Sequence, residues 1–265
     1  MKHLLTTLIL LLCTLTVFAQ KEKVTGPKKK PQTTTVPAKP KQQTGQPKQQ
    51  KQQVAKPKQQ QTVAKQKPRH SSVSSPSGYE NGYGYVNLGL SVKWATMNVG
   101  ASRVTEYGYY YAWGETRTKS SYDWNTYFDT TDGGNSFFKY ALNKKKVLEL
   151  SHDAAYANWG GSWRMPTSAE QDELREKCTW IWTTLNGIKG YRVSSKRNGN
   201  SIFLPAAGYR YGESLYDAGT DGDFWSSSLN TSCSGRTCLL HFDSNCIVWR
   251  DFGRNYGLSV RAVCQ

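Results

Sequence analysis

Residues 214–264 contain no Lys, Glu, Gln or Met, whereas residues 79–213 contain nine Lys, eight Glu, one Gln and two Met. Strands disfavour Lys and Glu. The same stretch is nevertheless rich in Arg, Asp, Asn and Cys, so a general avoidance of polar residues does not explain the gap. We interpret residues 214–264 as a fixed β frame that carries an unusual set of exposed side chains.

Residues 20–78 have no aromatic residue and few aliphatic ones, and they consist mostly of Lys, Gln, Pro, Thr and Ser. A segment of this composition cannot bury a core, so it is predicted to be a disordered, extended linker. It holds thirteen Lys, one Arg and one Glu, and with Lys2 it accounts for all but +2 of the formal charge of +16. The isoelectric point of about 9.6 therefore describes the linker, and specific nucleic-acid binding is not predicted from it. A tether along an anionic envelope polymer is the simpler interpretation.

The chain lacks an apolar run of membrane-spanning length with a stop-transfer flank. Residues 1–19 instead have the pattern of a signal peptide, with Lys2, an apolar run and Val17-Phe18-Ala19 before Gln20. Cys13 follows a Leu rather than a small residue, which disfavours a lipid anchor. We expect a protein exported to the periplasm, the cell envelope or the medium, with no transmembrane span.

Residues 79–265 have the length of one domain. Alternating apolar residues predict a strand over 85–94, and the Tyr-rich residues 106–143, with a D-G-G-N turn at 132–135, predict a loop packed by its own side chains. Ser151 is the predicted cap of a short helix over 152–158, and the capping box at Thr167 opens a second helix to Lys177. Further strands are predicted at 180–184, 188–195, 201–205, 224–228, 237–242, 247–252 and 258–263. Two helices followed by an antiparallel meander define an α+β class.

Several motifs carry a family resemblance: L-G-L-S-V-K-W-A-T-M-N-V-G-A (88–101), Y-Y-A-W-G-E-T (110–116), N-W-G-G-S-W-R-M-P-T (158–167), F-L-P-A-A-G-Y-R (203–210), F-W-S-S-S (224–228) and G-L-S-V-R-A-V (257–263). Together they resemble the Fibrobacter succinogenes major paralogous domain family of secreted Bacteroidetes-type proteins. The resemblance implies a C-type-lectin-like fold, which formylglycine-generating enzymes share, with two helices bracing a small twisted antiparallel sheet. It implies no established enzymatic role.

The same fold occurs in the variable proteins of diversity-generating retroelements, and this similarity suggests an origin for the missing residue types. Adenine mutagenesis of Asn codons yields neither Lys, Glu, Gln, Met nor Trp, so Trp225 and Trp249 would be unmutated frame positions. On this hypothesis Ser226 to Ser228, Leu240, Phe242 and Val260 are frame, and Leu240 and Phe242 belong to a half-buried strand. The displayed, ligand-binding positions would be Asp223, Asn230, Arg236, His241, Asp243, Asn245, Arg250, Asp251, Arg254 and Asn255, with Cys233 as a further displayed position.

The chain after the signal peptide has five cysteines, an odd number that leaves at least one thiol unpaired in an exported protein. The disulfide candidates are Cys178, Cys264, Cys233, Cys238 and Cys246. Similar family members often carry Cys where Met97 stands, so the resemblance implies that the usual partner of Cys264 is missing. Cys178 is the candidate replacement, and the connectivity stays open.

No cofactor or metal is predicted. Neither His152 nor His241 has a partner at zinc-ligand spacing, and Asp217, Asp221 and Asp223 are interpreted as a polar loop rather than a calcium site. C-S-G-R-T-C at 233–238 has a superficial similarity to the copper(I)-binding thiols of formylglycine-generating enzymes. That similarity leaves a copper-dependent oxidase as a remote alternative.

The sequence therefore predicts an exported, non-enzymatic binding module for a protein or glycan ligand at the cell surface. Ligand recognition would come from a face rich in Arg, Asp, Asn and His, where Arg side chains offer forked donors to carboxylates and carbonyls. The alternative is a structural envelope or adhesion protein whose basic tail binds anionic polymer.

Overall fold

The computed structural model describes residues 72–128, 142–144, 146–230 and 235–265. The predicted signal peptide at 1–19, the predicted linker up to residue 71, the predicted D-G-G-N turn and Cys233 lie outside the described residues. Ser74 and Ser77, which composition assigns to the linker, already hydrogen-bond to the domain. The backbone N–H of Ser74 donates to the carbonyl of Ser201 at 3.1 Å, and that of Ser77 donates to the carbonyl of Tyr85 at 2.7 Å.

Two helices follow the Tyr-rich residues 106–143 in the chain. Helix α2 (Ser168–Lys177) begins at the predicted capping box, in which the Thr167 hydroxyl accepts from the N–H of Glu170 and the Glu170 carboxylate accepts from the N–H of Thr167. Helix α1 (Ala154–Trp159) is shorter than predicted. Its cap is Asp153, not Ser151, because a 3₁₀ turn (Leu150–His152) occupies the preceding residues.

Strands make up most of the remaining regular structure. They are β1 (Gly78–Glu80), β2 (Tyr83–Val86), β3 (Lys93–Ala95), β4 (Tyr110–Tyr111), β5 (Cys178–Leu185), β6 (Ile188–Ser195), β7 (Ser201–Pro205), β8 (Tyr209–Tyr211), β9 (Ser214–Tyr216), β10 (Gly222–Leu229), β11 (Arg236–Phe242), β12 (Ile247–Gly253), β13 (Leu258–Ser259) and β14 (Val263–Cys264). The orders within the sheets are β1-β2-β3-β14, β12-β11-β10-β13-β4, β5-β6-β7 and β8-β9. The α+β class is confirmed.

The single strand predicted over 85–94 is wrong. The segment is a hairpin in which β2 and β3 pair antiparallel, with Val86 opposite Trp94. Gly89, in the connection, has φ of +70°, a conformation that glycine adopts without steric cost. Period-two alternation of apolar residues does not show where the chain reverses direction, so the glycine in the six-residue connection is the better signal.

The central strands β10 and β11 separate two hydrophobic clusters. Trp225 and Leu239 belong to the cluster on one face, and Phe224, Leu240 and Phe242 belong to the cluster on the other. The expectation of a half-buried β11 is therefore wrong, because packed side chains cover both of its faces. Burial on both faces gives these strands a fixed backbone on which a site can be built.

Helix α2 braces this central sheet directly. Its buried Gln171 amide donates to the carbonyls of Phe224 and Trp225 at 3.3 and 3.1 Å. Trp249 on β12 donates through Nε1 to the Asp172 carboxylate at 2.7 Å. The helix thus contacts both the central strand β10 and the edge strand β12 of this sheet.

The Tyr-rich loop packs on its own side chains as predicted, over the part that the structure describes. Tyr110, Ala112, Tyr122 and Tyr127 form a separate buried cluster. Among the described residues, none of the helices has the length and apolar character needed to cross a membrane.

Candidate functional site

The C-terminal hairpin of β11 and β12 carries predicted site residues at each of its two ends. The strands pair antiparallel from Arg236 opposite Gly253 to Phe242 opposite Ile247. Six residue steps along β11 separate the ends, which corresponds to ~20 Å at ~3.3 Å per residue. We call the end near Arg236 the pocket end and the end formed by residues 243–246 the turn end. Arg250 lies between them, opposite Leu239.

The pocket end borders a cavity of about 520 Å³. The cavity is formed by segments from three parts of the chain, and its lining residues are Trp124, Tyr209, Gly235, Arg236, Asp251, Phe252, Gly253, Asn255 and Tyr256. Three of the predicted site residues, Arg236, Asp251 and Asn255, therefore meet in one place. The other predicted residues do not line it.

Aromatic rings form one wall of this cavity. Tyr209 lies edge-on to Phe252 with 5.1 Å between ring centroids, and Tyr211 stacks on Tyr256 at 4.8 Å. Tyr216 stacks on Tyr209 at 5.5 Å. Trp124, which lines the cavity, and Tyr211 and Tyr216, which stack on lining rings from outside it, are each more than 40% exposed. Their apolar surfaces are therefore available for contact.

The short β8–β9 hairpin places these tyrosines beside the C-terminal strands. The backbone N–H of Arg210 donates to the carbonyl of Gly257 at 2.7 Å, and the N–H of Gly257 donates back at 3.0 Å. At Gly208, which precedes β8 with φ of +61°, a Cβ would lie 1.9 Å from the carbonyl oxygen of Tyr216. Only glycine allows this approach, and it folds the hairpin back over the pocket end.

The polar groups of the pocket end include an exposed ion pair. Arg236 donates through Nη1 to the Asp251 carboxylate at 3.0 Å, and more than 40% of each side chain is exposed. Exposed pairs of this kind contribute little to stability, about 0 to 1 kcal/mol. A ligand group can therefore replace either partner of this ion pair at a small cost in free energy.

Asn255 is the second polar feature of the pocket end. Its side chain is fully buried, and neither its amide nitrogen nor its amide oxygen has a hydrogen-bond partner among the described residues. An unpartnered buried polar group costs about 1 to 3 kcal/mol. A Cβ at Gly253 would lie 2.6 Å from the amide oxygen, so the glycine leaves room for this group beside the cavity.

Four predicted positions are not displayed as expected. Asp223, His241, Arg254 and Asn255 are at most 3% exposed. Asp223 and His241 pair across β10 and β11 and are covered on that face. Arg254 is also buried, and its guanidinium carbon lies 5.5 Å from the Tyr127 ring centroid. Arg236, Asn245 and Arg250 are exposed, and Asn230, Asp243 and Asp251 are half-buried.

The turn end brings three groups of different chemistry together. A ring nitrogen of His241, a carboxylate oxygen of Asp243 and Sγ of Cys246 lie within 4.8 Å of one another. The backbone N–H groups of Asn245 and Cys246 donate to Asp243 Oδ1 at 2.6 and 2.9 Å, which lowers the pKa of that carboxyl group. Burial, followed by the neighbouring Asp243 carboxylate, raises the pKa of the Cys246 thiol.

His241 is oriented by a second carboxylate. Its Nδ1 lies 2.9 Å from Asp223 Oδ1, and both side chains are fully buried. Its Nε2 is also buried and has no hydrogen-bond partner among the described residues. Sequence reasoning missed this arrangement because Asp223 is eighteen residues away and because H-x-D-x-x-C is not a recognised ligand spacing.

The four described cysteines, Cys178, Cys238, Cys246 and Cys264, are free thiols. The candidate disulfide between Cys178 and Cys264 is wrong, because the two residues belong to hydrophobic clusters on opposite faces of the sheet. Burial raises the pKa of each of these two thiols to about 11. Cys238, half of the proposed copper(I) pair, is half-buried, and burial and the nearby Asp251 raise its pKa.

The aromatic wall was also absent from the predicted site. Tyr209 and Tyr211 lie outside residues 214–264 and Tyr216 lies at the start of that stretch, so the missing residue types do not single them out. The alternation Tyr209-Arg210-Tyr211 places both rings on one face of a strand, and this was the available signal.

Comparison of this chain with protein-family models, with curated proteins and with solved structures finds no match. The family resemblance therefore depends on the sequence motifs alone.

Proposed function

We propose that this chain is an exported, non-enzymatic ligand-binding module whose C-type-lectin-like domain presents the pocket end of its C-terminal hairpin. The supporting observation is the convergence of four aromatic residues, the Arg236–Asp251 ion pair and the unpartnered Asn255 amide on one cavity. Pockets that combine apolar walls with a few directional polar groups are typical of small-molecule and ligand-group recognition.

The chemistry of the pocket end favours an uncharged ligand group rich in hydroxyls or amides, as on a glycan or a peptide. The aromatic faces offer apolar contact, while the amide of Asn255 offers both a donor and an acceptor. The guanidinium of Arg236 and the carboxylate of Asp251 balance each other in charge. The cavity lining therefore offers no excess charge to a strongly anionic or cationic ligand.

The variable positions of the proposed retroelement target are, on this account, the predicted residues that are exposed or half-buried. They are Asn230, Arg236, Asp243, Asn245, Arg250 and Asp251. The buried members belong to the frame. A reverse-transcriptase gene and a near-copy of the coding segment are expected beside this gene, and the absence of both would contradict the hypothesis.

The test is a printed array of glycans and extracellular peptides, probed with the chain from residue 20 onward. Arg236→Ala and Asn255→Ala are expected to weaken the signals of the bound class by about 1 kcal/mol or more each, which is fivefold or greater. Arg175→Ala is the matched control, because Arg175 forms a similar exposed ion pair with Asp172 outside the pocket. Equal signals from all four proteins would overturn the proposal.

The structural alternative has its own outcome in the same experiment. If the basic linker alone drives association, binding is restricted to anionic polymers and falls steeply with added salt. The pocket substitutions would then leave the binding unchanged. That result would assign the function to the linker and a packing role to the domain.

A further inference from the structure

The turn end of the hairpin has no part in the proposed pocket, yet it holds a nitrogen, an oxygen and a sulfur ligand group in close proximity. Sγ of Cys246 lies 3.5 Å from Oδ2 of Asp243. Ligands at ~2.0–2.3 Å from a tetrahedral zinc ion lie about 3.3 to 3.8 Å from one another. This pair is therefore already at the required spacing.

The third group, His241, has one ring nitrogen bonded to a carboxylate and the other ring nitrogen buried without a partner among the described residues. Its Nδ1 is occupied by Asp223, which leaves Nε2 as the nitrogen with no partner among the described residues. Metal-binding histidines commonly hold a carboxylate on one ring nitrogen, which fixes the ring and raises the basicity of the other nitrogen. A fully buried Nε2 without a hydrogen bond is costly unless something binds it.

We infer that His241, Asp243 and Cys246 form a binding site for a divalent transition metal, with Asp223 as the residue that positions His241. The set of one imidazole, one carboxylate and one thiolate suits Zn²⁺, which accepts all three ligand types. The oxygen-seeking ions Mg²⁺ and Ca²⁺ do not favour the sulfur and nitrogen ligands. When Sγ binds the metal, its proton leaves to solvent.

Three protein ligands leave one position of a tetrahedral ion open. Asp243 and Cys246 are half-buried, so this position is accessible from solvent. Water or a group of a bound partner would complete the coordination. The site lies ~20 Å along the strands from the pocket end. A substitution that abolishes binding at one site is therefore expected to leave binding at the other site unchanged.

The experiment titrates the chain from residue 20 onward with Co²⁺, whose bond to a thiolate gives a charge-transfer absorption band, and then displaces Co²⁺ with Zn²⁺. The unchanged protein is expected to bind one equivalent and to show the band. Cys246→Ser is expected to abolish the band while the domain stays folded, because the residue lies in a half-buried turn. Cys238→Ser is the matched control, since its thiol is on the same hairpin and outside the cluster.

Asp223→Asn separates a metal role from a purely structural one. It is expected to weaken Zn²⁺ affinity by about 10- to 100-fold and to keep the thiolate band, because it changes the partner of a ligand and not a ligand. Near-ultraviolet circular dichroism reports whether the domain remains folded. No band in the unchanged protein, or a band that survives Cys246→Ser, would overturn the inference.

Discussion

The two ends of the C-terminal hairpin present side chains of different chemistry and burial on one backbone. The pocket end has exposed rings and an ion pair that stabilises little, so its side chains are free to adapt to a ligand. The turn end has a buried imidazole held by a buried carboxylate, an arrangement with a single geometry. The difference shows that exposed and buried polar groups lie on one hairpin, next to strands β10 and β11 that are packed on both faces.

Destabilising the sheet core should disrupt both ends of the hairpin, because both are built on strands that pack into that core. Phe224 is fully buried and stacks on Phe242 with 5.8 Å between ring centroids. Phe224→Ala is expected to lower the free energy of unfolding by about 3 to 5 kcal/mol, measured by urea denaturation. A loss below about 1 kcal/mol would show that the sheet core is not the frame of the two ends.

A comparison of two buried asparagines tests whether the Asn255 amide at the pocket end lacks a structural partner. Asn98 and Asn255 are both fully buried, but Asn98 donates to the carbonyl of Tyr107 at 2.8 Å and accepts from Arg261 Nε at 2.9 Å. Asn98→Ala leaves the buried Arg261 short of a partner and is expected to cost about 2 to 3 kcal/mol. Asn255→Ala removes an unpartnered amide and is expected to change stability by less than about 1 kcal/mol. Equal losses in the two variants would mean that Asn255 has a structural partner.

Acid should weaken the start of helix α2, where Glu170 caps the helix and pairs with Arg164. Burial raises the pKa of Glu170, but hydrogen bonds from Arg164 and Thr167 outweigh it and hold the pKa below the ordinary value of 4.5. A carboxyl group with a lowered pKa stabilises the fold above that value, and the contribution is lost as the pH falls through the folded-state pKa. Glu170→Gln is expected to cost about 1 kcal/mol at neutral pH and nearly nothing well below pH 4. A cost independent of pH would exclude the Arg164 ion pair as its origin.

The smallest effect on stability is expected at the ion pair of the pocket end. Arg236→Ala should change the unfolding free energy by less than about 0.5 kcal/mol, because both partners are more than 40% exposed. Thermal denaturation beside Arg175→Ala checks this expectation. A markedly larger loss for Arg236→Ala would show that the pair holds the hairpin together and is not available to a ligand.

Local signals in the sequence predicted part of this fold well. The capping box at Thr167 marked the start of α2, and the turn residues around β6 and β7 marked strands whose bounds are confirmed. The strand over 85–94 failed because alternation cannot reveal a reversal of direction. The helix cap failed because Asp153 and Ser151 are both good caps, and only packing selects between them.

The candidate site could be predicted only in outline. The missing residue types directed attention to the hairpin that borders the cavity, and Arg236, Asp251 and Asn255 line that cavity. Burial of His241 and its pairing with Asp223 depend on strand register, which no local pattern contains. The aromatic wall comes from β8 and β9, whose approach depends on Gly208 and on contacts distant in sequence.

The independence of the two ends is the central claim, and one paired measurement tests it. Cys246→Ser and Arg236→Ala are each assayed for the Co²⁺ thiolate band and for binding to the glycan and peptide array. We predict that Cys246→Ser loses the band and keeps the array signal, and that Arg236→Ala keeps the band and loses array signal. A single variant that abolished both readouts while remaining folded would contradict the account.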